Sequence, residues 1–530
     1  MYKCKSCGGD LVLNIARQEL KCPYCDSVFP VSDYEDAQEI KGQDTYETTI
    51  YTCSQCGAEI ATTDSTAVTF CSYCGTEANL QGRLAREKRP KYIIPFKQTK
   101  EQCKVIYSEN VKKQPYAPKE FTSPEYLENF RGIYIPYWEI NVGFDKNPEL
   151  KVTEKYTSGE YDYTDEYTAN PKIAGTKIPI PQDASASFDD EIAAQIAPFN
   201  KEDMKDFNPA YLAGFFADTA DVDADVYSEK AMAMAEDHVI KNVELAFRAG
   251  AKVDLSKDQK VRTDTFGSRI EESHLNLFPV WFLTWRKGDR LAYGVINGET
   301  GKISADIPID TGSFLRTSAI IALVLFIISC VASVLVLPAT VLMISSIAAL
   351  LVHYLYRQEI ISLAERESHA NDLGALSGEA LEEAKQSIGK RKATKSGTIG
   401  IMVKFFVVAL ISMTIVSGTS GNGRSVIVCL AVCIIGIVLQ LKAGKYLSKL
   451  QEKSMKTIFL LPFMAEIIAL IIAFIGTVHD WDWIYYTGSI IAFAVTAIVS
   501  INMIKQYNLL TTRPIPEFHN REGGNKDVGA

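Results

Sequence analysis

Cys4-Lys-Ser-Cys7-Gly-Gly-Asp-Leu11 and Lys21-Cys22-Pro-Tyr-Cys25-Asp-Ser27 recur 49 positions later as Cys53-Ser-Gln-Cys56-Gly-Ala-Glu-Ile60 and Phe70-Cys71-Ser-Tyr-Cys74-Gly-Thr76. Each copy carries two Cys-x-x-Cys knuckles with 14 residues between them, and the matching flanks mark a tandem duplication. Two residues between cysteines form a tight turn that aims both sulfurs at one point. An intervening hairpin then brings the second knuckle opposite and completes a tetrahedral S4 cage. Gly8, Gly57 and Gly75 supply the backbone freedom that follows such a turn. With so few apolar residues per copy, bound metal has to supply much of the folding free energy.

Three chemistries compete for these eight thiols. A disulfide framework suits a small exported domain, but Met1 to Cys25 has no apolar run of signal-peptide type, and thiols in a reducing compartment favour metal. A redox dithiol is suggested by Cys22-Pro-Tyr-Cys25, yet the upstream knuckle and the Ser-Tyr of the second copy favour ligation. The expectation is therefore two structural zinc ions, held by Cys4, Cys7, Cys22 and Cys25 and by Cys53, Cys56, Cys71 and Cys74, with rubredoxin-type iron as the alternative for the same geometry. A closed S4 site leaves no open coordination position, so no catalysis is expected at the metal. The remaining cysteines, Cys103, Cys330, Cys429 and Cys433, read as small apolar fillers.

Charge argues against nucleic acid as the ligand of these ribbons. Residues 1–80 hold 12 acidic against 5 basic side chains, and residues 145–230 hold 19 against 8. Counterion release needs a basic face, and the short run Arg83, Arg86, Lys88, Arg89 and Lys91 reads instead as a solvated hinge. From Pro90 to about Thr311 the pattern is soluble α+β. Helical spacing covers Gln98–Lys113 and Ala224–Ala249, and strand-like runs cover Ile133–Val142 and Lys151–Thr168. Leu277–Trp285, Arg290–Ile296 and Lys302–Ile307 form a predicted meander with turns at Lys287-Gly-Asp289 and Asn297-Gly298. Gly298-Glu-Thr-Gly301-Lys302 resembles part of a phosphate loop, but its first glycine is misplaced and Ile303 stands where Ser or Thr is required, so it reads as a hairpin turn. The histidines are isolated. Asp218, Asp221, Asp223 and Asp225 lack the glycine and closing glutamate of a calcium loop and read as a solvated turn. No catalytic or cofactor-binding residue emerges, and no enzyme activity is expected.

Beyond Thr311 the chain turns apolar. Ser318–Leu337, Ile401–Val416, Ile458–Thr477 and Trp483–Met503 suit a hydrocarbon core of roughly 30 Å, and Thr340–Tyr356 and Val426–Leu441 bring the count to six spans. Arg357, Arg366, Lys385, Lys390, Arg391, Lys392 and Lys395 crowd one loop, and Lys442, Lys445, Lys449, Lys453 and Lys456 another. The alternate loops hold Arg424 or nothing. The positive-inside bias puts both termini in the cytoplasm of a multi-pass inner-membrane protein, in keeping with reduced, metal-bound thiols. Glu466 lies within the fifth span. A carboxyl at that depth must be protonated or paired, as an interhelical clamp or as a proton or ion relay.

Arg131-Gly-Ile-Tyr-Ile-Pro-Tyr-Trp138, Asn208-Pro-Ala-Tyr-Leu-Ala-Gly-Phe215, Phe278-Pro-Val-Trp281 and Asn297-Gly-Glu-Thr-Gly-Lys302 complete the pattern. With the two ribbons, these stretches resemble bacterial TFIIB-type zinc-ribbon membrane proteins of the YdjG-like kind, over about residues 1–310. The resemblance implies a place beside envelope-stress proteins of the phage-shock and SPFH kinds and a docking role at the membrane. The shared motifs are aromatic and proline-rich, so no catalytic residue comes with them. Helicase names attached to some members find no helicase motif here.

The expected architecture is multidomain: ribbon 1 (1–40), ribbon 2 (41–82), a linker (83–97), a cytoplasmic α+β domain (98–312), a transmembrane hairpin (313–356), a cytoplasmic loop (357–399), four further transmembrane helices (400–505) and a disordered C-terminal tail (506–530). The leading functional expectation is a scaffold that docks a protein partner at the cytoplasmic membrane face, in contact with lipid and compatible with homo-oligomers. The alternatives are a transporter or channel with the ribbons as regulatory head, and a membrane-tethered nucleic-acid binder.

Overall fold

The computed structural model describes residues 2–34, 45–62, 71–76, 82–256, 258–320, 338–367, 373–376, 378–386, 421–447, 453–479 and 481–516. Ribbon 1 is a three-stranded antiparallel sheet of β1 (Val12–Asn14), β2 (Glu19–Lys21) and β3 (Val28–Pro30). Ribbon 2 is built differently. Its strands β4 (Thr45–Thr52) and β5 (Glu59–Thr62) belong to the 12-stranded sheet of the head, where β5 pairs with β13 (Phe216–Asp218).

The segment expected as a hinge is also part of that sheet. β6 (Gly82–Lys88) pairs with β4 from Thr45↔Lys88 to Tyr51↔Gly82, and β7 (Tyr92–Ile93) pairs with the long central strand. Its charge concealed this, because an edge strand keeps charged residues that blunt further pairing. The register puts Arg86 opposite Glu47, the ammonium of Lys88 lies 4.5 Å from the Trp138 ring centroid, and Arg89 donates to the Phe207 carbonyl at 3.0 Å.

The centre of the head is β8 (Arg131–Phe144), antiparallel to β15 (Ser268–Lys287), with a bulge between Ile270 and Glu272. Both strands are buried over long uninterrupted stretches, so they read as continuous apolar runs instead of alternating ones. The other head strands are β9 (Leu150–Ser158), β10 (Tyr161–Ala169), β11 (Lys177–Asp183), β12 (Lys205–Asp206), β14 (Lys252–Asp254), β16 (Arg290–Asn297) and β17 (Ile303–Ala305). β9, β10 and β14 form a separate three-stranded sheet whose edge is β10. β15, β16 and β17 make the predicted meander. Asn297 Oδ1 accepts from the amides of Glu299 and Thr300 at 2.9 Å, which makes the Gly298–Gly301 stretch a hairpin turn.

Helix α1 (Lys100–Lys112) starts at a Thr99–Gln102 capping box and drives Tyr107 against Gly294, where a Cβ would come within 2.5 Å of the ring. The short α2 (Pro124–Leu127) and α3 (Asp190–Ile196) flank the sheet, while α4 (Ser228–Leu245) and α5 (Gln259–Phe266) cover its far end. The motifs behind the family resemblance meet in one aromatic cluster. Phe96 stacks on Phe215 at 4.4 Å and meets Tyr134 and Trp281 edge-on at 5.0 and 5.3 Å. Gly132 admits Phe215, since a Cβ there would lie 2.5 Å from its ring. These motifs therefore serve packing.

Outside the head lie α6 (Pro338–Glu367), α7 (Gly378–Gln386), α8 (Gly421–Leu447), α9 (Lys453–Val478) and α10 (Asp482–Leu510). Pro338–Ser362, Phe459–Val478 and Asp482–Leu510 are long and apolar enough to cross a membrane, and Ser425–Leu441 is a shorter apolar helix. Of the six expected spans, Ile401–Val416 and nearly all of Ser318–Leu337 lie outside the described residues. The bundle is inverted relative to a soluble one: Leu351, Ile434, Phe474, Ile490 and Phe493 are exposed, while Ser346, His353, Glu466 and Gln506 are fully buried.

The start of the segment expected as a disordered tail is ordered. β18 (Arg513–Pro514) pairs with β16, and Arg513 bridges Asp189 at 2.5 Å and Asp306 at 3.3 Å. Arg290 donates to the carbonyls of Leu509 and Thr512 at 2.6 Å, and Asn508 exchanges two hydrogen bonds with the backbone of Ile309. Two half-buried carboxylates in the head make Arg513 a pin, a pairing of residues 324 and 207 positions apart that no local pattern reveals.

Candidate metal centres

All four knuckles use one hydrogen-bonded turn. Cys4, Cys22, Cys53 and Cys71 each donate an amide to the carbonyl five residues on, at 2.7 to 2.9 Å, and each accepts the amide four residues on at 2.8 to 3.0 Å. The residue closing the turn has positive φ: Gly8, Gly57 and Gly75, and in the fourth case Asp26 at 57°. Aspartate is among the few side chains that tolerate this conformation, so the missing glycine of that knuckle is replaced at modest cost.

The turns converge their sulfurs as expected. Cys4–Cys25 and Cys7–Cys22 Sγ atoms lie 3.6 and 3.5 Å apart, and Cys53–Cys74 and Cys56–Cys71 lie 3.6 and 3.7 Å apart. Four thiolates at a zinc–sulfur distance of about 2.3 Å have edges of roughly 3.8 Å, so both cages match a tetrahedral ion. All eight cysteines are free thiols, and among the described residues these are the two clusters with the donor set and convergence for a metal. Two thiols in each are held below the ordinary value: Cys4 and Cys25, the latter at about 6 through the Ser27 hydroxyl and amide, and Cys53 and Cys74, the former at about 6 through its neighbours Cys56 and Cys71. Part of each set is thus held as thiolate, the form that ligates, while Cys7, Cys56 and Cys71 are pushed up by their neighbours.

The surroundings of the two cages differ. In ribbon 1, Cys7 and Cys25 are exposed and Tyr24, inside the second knuckle, is 75% exposed. This ribbon is tied to the head by Leu13 donating to the Ala213 carbonyl at 3.0 Å, Gln18 donating to the Phe96 carbonyl at 2.7 Å and Val12 abutting Gly214, and its Leu11, Leu13, Leu20 and Val31 share one apolar cluster with Leu212 and Phe215 of the head. In ribbon 2 all four cysteines are buried, and the Cys71–Cys74 knuckle lies against β15 and β16. Thr284 donates to the Ser72 carbonyl, Tyr293 to the Tyr73 carbonyl at 2.8 Å, and Arg286 to the Cys74 carbonyl at 3.4 Å.

Tyr73 reaches deeper still, donating to Asp218 Oδ2 at 2.5 Å, where Ser185 donates as well. Burial pushes the Asp218 carboxyl up to about 7. The acidic run beginning there is thus only partly a solvated turn, since Asp218 is buried and Asp221 accepts the Ala186 amide at 2.7 Å. It forms no metal cluster among the described residues. Cys103 is the buried filler expected, its thiol pushed up to about 12 by burial.

Glu466 is fully buried among the helices, and His353 of α6 meets it, Nδ1 to Oε1 at 2.9 Å. His353 had read as one of six isolated histidines. The available signal was an ionisable residue inside an apolar span, the same criterion that singled out Glu466.

The fold and its cages define a class: a sheet-rich head holding two Cys4 metal sites, one exposed and one built into the sheet, joined to apolar helices suited to a membrane. A curated protein from Bacillus subtilis (strain 168), "Uncharacterized protein YdjG", is 27% identical over 322 residues, which is 59% of this chain and 91% of that protein. No family model and no solved structure matches the chain.

Proposed function

We propose that this chain is a membrane-anchored zinc-ribbon scaffold of the TFIIB-type, YdjG-like kind, whose cytoplasmic head docks a protein partner at the inner membrane. The observation that carries the reading is the exposure of ribbon 1: its outer knuckle offers Tyr24 and its strands offer Val12 and Val28 at the surface, on a module already rigidified by metal. A closed S4 site does no chemistry, so a rigid exposed ribbon is most useful as a recognition surface. The β9–β10 hairpin adds a second face. Tyr161, Tyr163 and Tyr167 stand exposed among Glu160, Asp162, Asp165 and Glu166, which favours a partner with a basic surface.

Topology supports a cytoplasmic head. The C-terminal end of α10 is pinned to the head through Arg513 and Arg290, and Leu373, beyond the end of α6, donates its amide to Asp190 of the head at 3.2 Å. Both contacts call for an even number of crossings, in agreement with six spans and with the lysine-rich loops lying on the head side. The metal is zinc, with no redox role. Nucleic acid is disfavoured because Lys88 and Arg89, of the basic run 83–91, engage head side chains and backbone.

The test is photo-crosslinking from position 24 of the full chain in intact membranes. A discrete protein adduct that disappears in Cys22→Ser is expected; adducts with lipid alone, or none above background, would overturn the reading. Elemental analysis of the purified chain should return two zinc ions, and the red absorbance of a ferric S4 centre would reassign the metal.

A further inference from the structure

The interior of the helix bundle carries a polar column that a scaffold does not need. At its centre His353 of α6 and Glu466 of α9 meet at 2.9 Å, both with no exposed surface. Each has a second polar atom, His353 Nε2 and Glu466 Oε2, that is buried and unpartnered. Buried polar atoms of a purely structural contact are ordinarily partnered, so two unmatched atoms on one pair call for another role. Oε2 is directed at Gly436 of α8, where any Cβ would collide with it, so the glycine keeps the carboxyl in place.

The other groups around the pair are mostly neutral and polar. From α8, the Cys433 thiol donates to the Glu466 carbonyl at 3.1 Å, and one turn away Cys429 contacts the Ser346 hydroxyl at 3.7 Å. From α9, Phe459 closes the His353 ring edge-on at 5.2 Å and stacks on Tyr356, whose hydroxyl accepts from Asn502 of α10 at 2.8 Å. Gln506, one turn further along α10, is fully buried with both amide atoms unpartnered. Glu359 is the next carboxyl along α6, and its Oε2 is also unpartnered. The side-chain partner of Glu466 is His353, and Arg357 lies one turn beyond His353 on α6 with partners of its own.

We infer that the His353–Glu466 pair is a proton-binding and proton-passing site inside the membrane bundle, its ligand being H+ and its two free atoms the points of entry and exit. An imidazole and a carboxyl that share one proton carry no net charge, which is the form a low-dielectric interior tolerates best. From the neutral pair with the imidazole proton on Nδ1 and the acid proton on Oε2, a proton arriving at Nε2 makes the imidazolium, the Nδ1 proton passes to Oε1, and the Oε2 proton leaves. One proton enters and one leaves, and exchange of the imidazole tautomer together with rotation of the carboxyl resets the pair. Ser346 and Cys429 on one side, and Tyr356, Asn502 and Gln506 on the other, supply hydroxyl, thiol and amide groups along the way. The inference rests on α6, α8, α9 and α10 lying within a bilayer.

The test reconstitutes the full-length chain into liposomes with an internal pH-sensitive dye and a potassium-diffusion potential as driving force. Proton entry at least tenfold above empty liposomes is expected, falling to the empty-liposome rate in Glu466→Gln and His353→Ala and sharply reduced in Gly436→Ala. Wild-type flux no greater than that of empty liposomes, or flux unchanged in Glu466→Gln, overturns the proposal. Carbonate-resistant insertion, measured on the same liposomes, separates failure of the pair from failure of the membrane assignment. Should the variants not fold, infrared difference spectra of the wild type decide the matter. A protonated-carboxyl band that responds to pH supports exchange, and a band insensitive to pH from 5 to 9 refutes it.

Discussion

The two ribbons arose from one sequence unit and keep the same two-turn cage, yet one closes a small sheet of its own against the head and the other is built into the head's large sheet. Ribbon 1 closes its own three-stranded sheet and leaves Cys7 and Cys25 at the surface. Ribbon 2 has given its hairpin to the large sheet, and its outer knuckle is roofed by Thr284, Arg286 and Tyr293. Duplication thus supplied two like sets of four thiols, and tertiary packing built one into the large sheet and left two thiols of the other at the surface. Metal should accordingly be linked to global folding at one site and to a local surface at the other.

The most severe way to break the contrast is Cys71→Ser. Structural zinc contributes on the order of 10 kcal/mol to small folds, comparable with the whole stability of a domain, so loss of the second cage should collapse the sheet edge. Hydrogen exchange in the full chain should then show β4, β5, β6 and β13 opening together. Cys22→Ser should lose one metal equivalent while protection in β8 and β15 stays within error. Equal loss of head protection in the two variants would contradict the asymmetry.

A chelator should sharpen the same point kinetically. The exposed cage should release its ion at least tenfold faster than the buried one, giving two phases in a metal-indicator assay at neutral pH. Thr284→Val removes the hydroxyl that caps the Ser72 carbonyl, leaves a buried acceptor unmatched, and should cost about 1–3 kcal/mol. Differential scanning calorimetry of the head transition would register it.

A smaller effect involves Asp218 beneath Tyr73. Its folded-state carboxyl sits at about 7, above the usual unfolded value near 4, so the folded head holds a proton that the unfolded chain has lost. That contribution to stability is fully present below pH 4 and is lost as pH rises to about 7. Asp218→Asn should flatten this decline relative to wild type between pH 4 and 7 in a melting series. Tyr24→Ala, on the exposed knuckle, should shift head stability by less than about 0.5 kcal/mol while abolishing partner crosslinking.

Much of this organisation was legible in the chain. The cage ligands, the repeat, the central strands and the meander follow from spacing, apolar runs and turn residues, because each is decided within a few residues. The hinge and the tail were misread for the opposite reason. Gly82–Lys88 has the composition of a solvated linker, and only its partner β4 makes it a strand; Arg513 looks like a tail residue until Asp189 and Asp306 are beside it. His353 gained its meaning in the same way, from a carboxyl 113 positions away.

By itself, the sequence determined what each copy of the cysteine unit could build, since ligand type and spacing dictate a tetrahedral thiolate cage wherever the chain places it. It also determined which helices could enter a membrane, since that depends on length and apolarity alone. Only the tertiary structure decided which cage would be buried, which carboxylates would clamp the C-terminal strand, and which histidine would face Glu466. Burial and pairing are properties of neighbours brought together from distant parts of the chain, and local pattern carries no record of them.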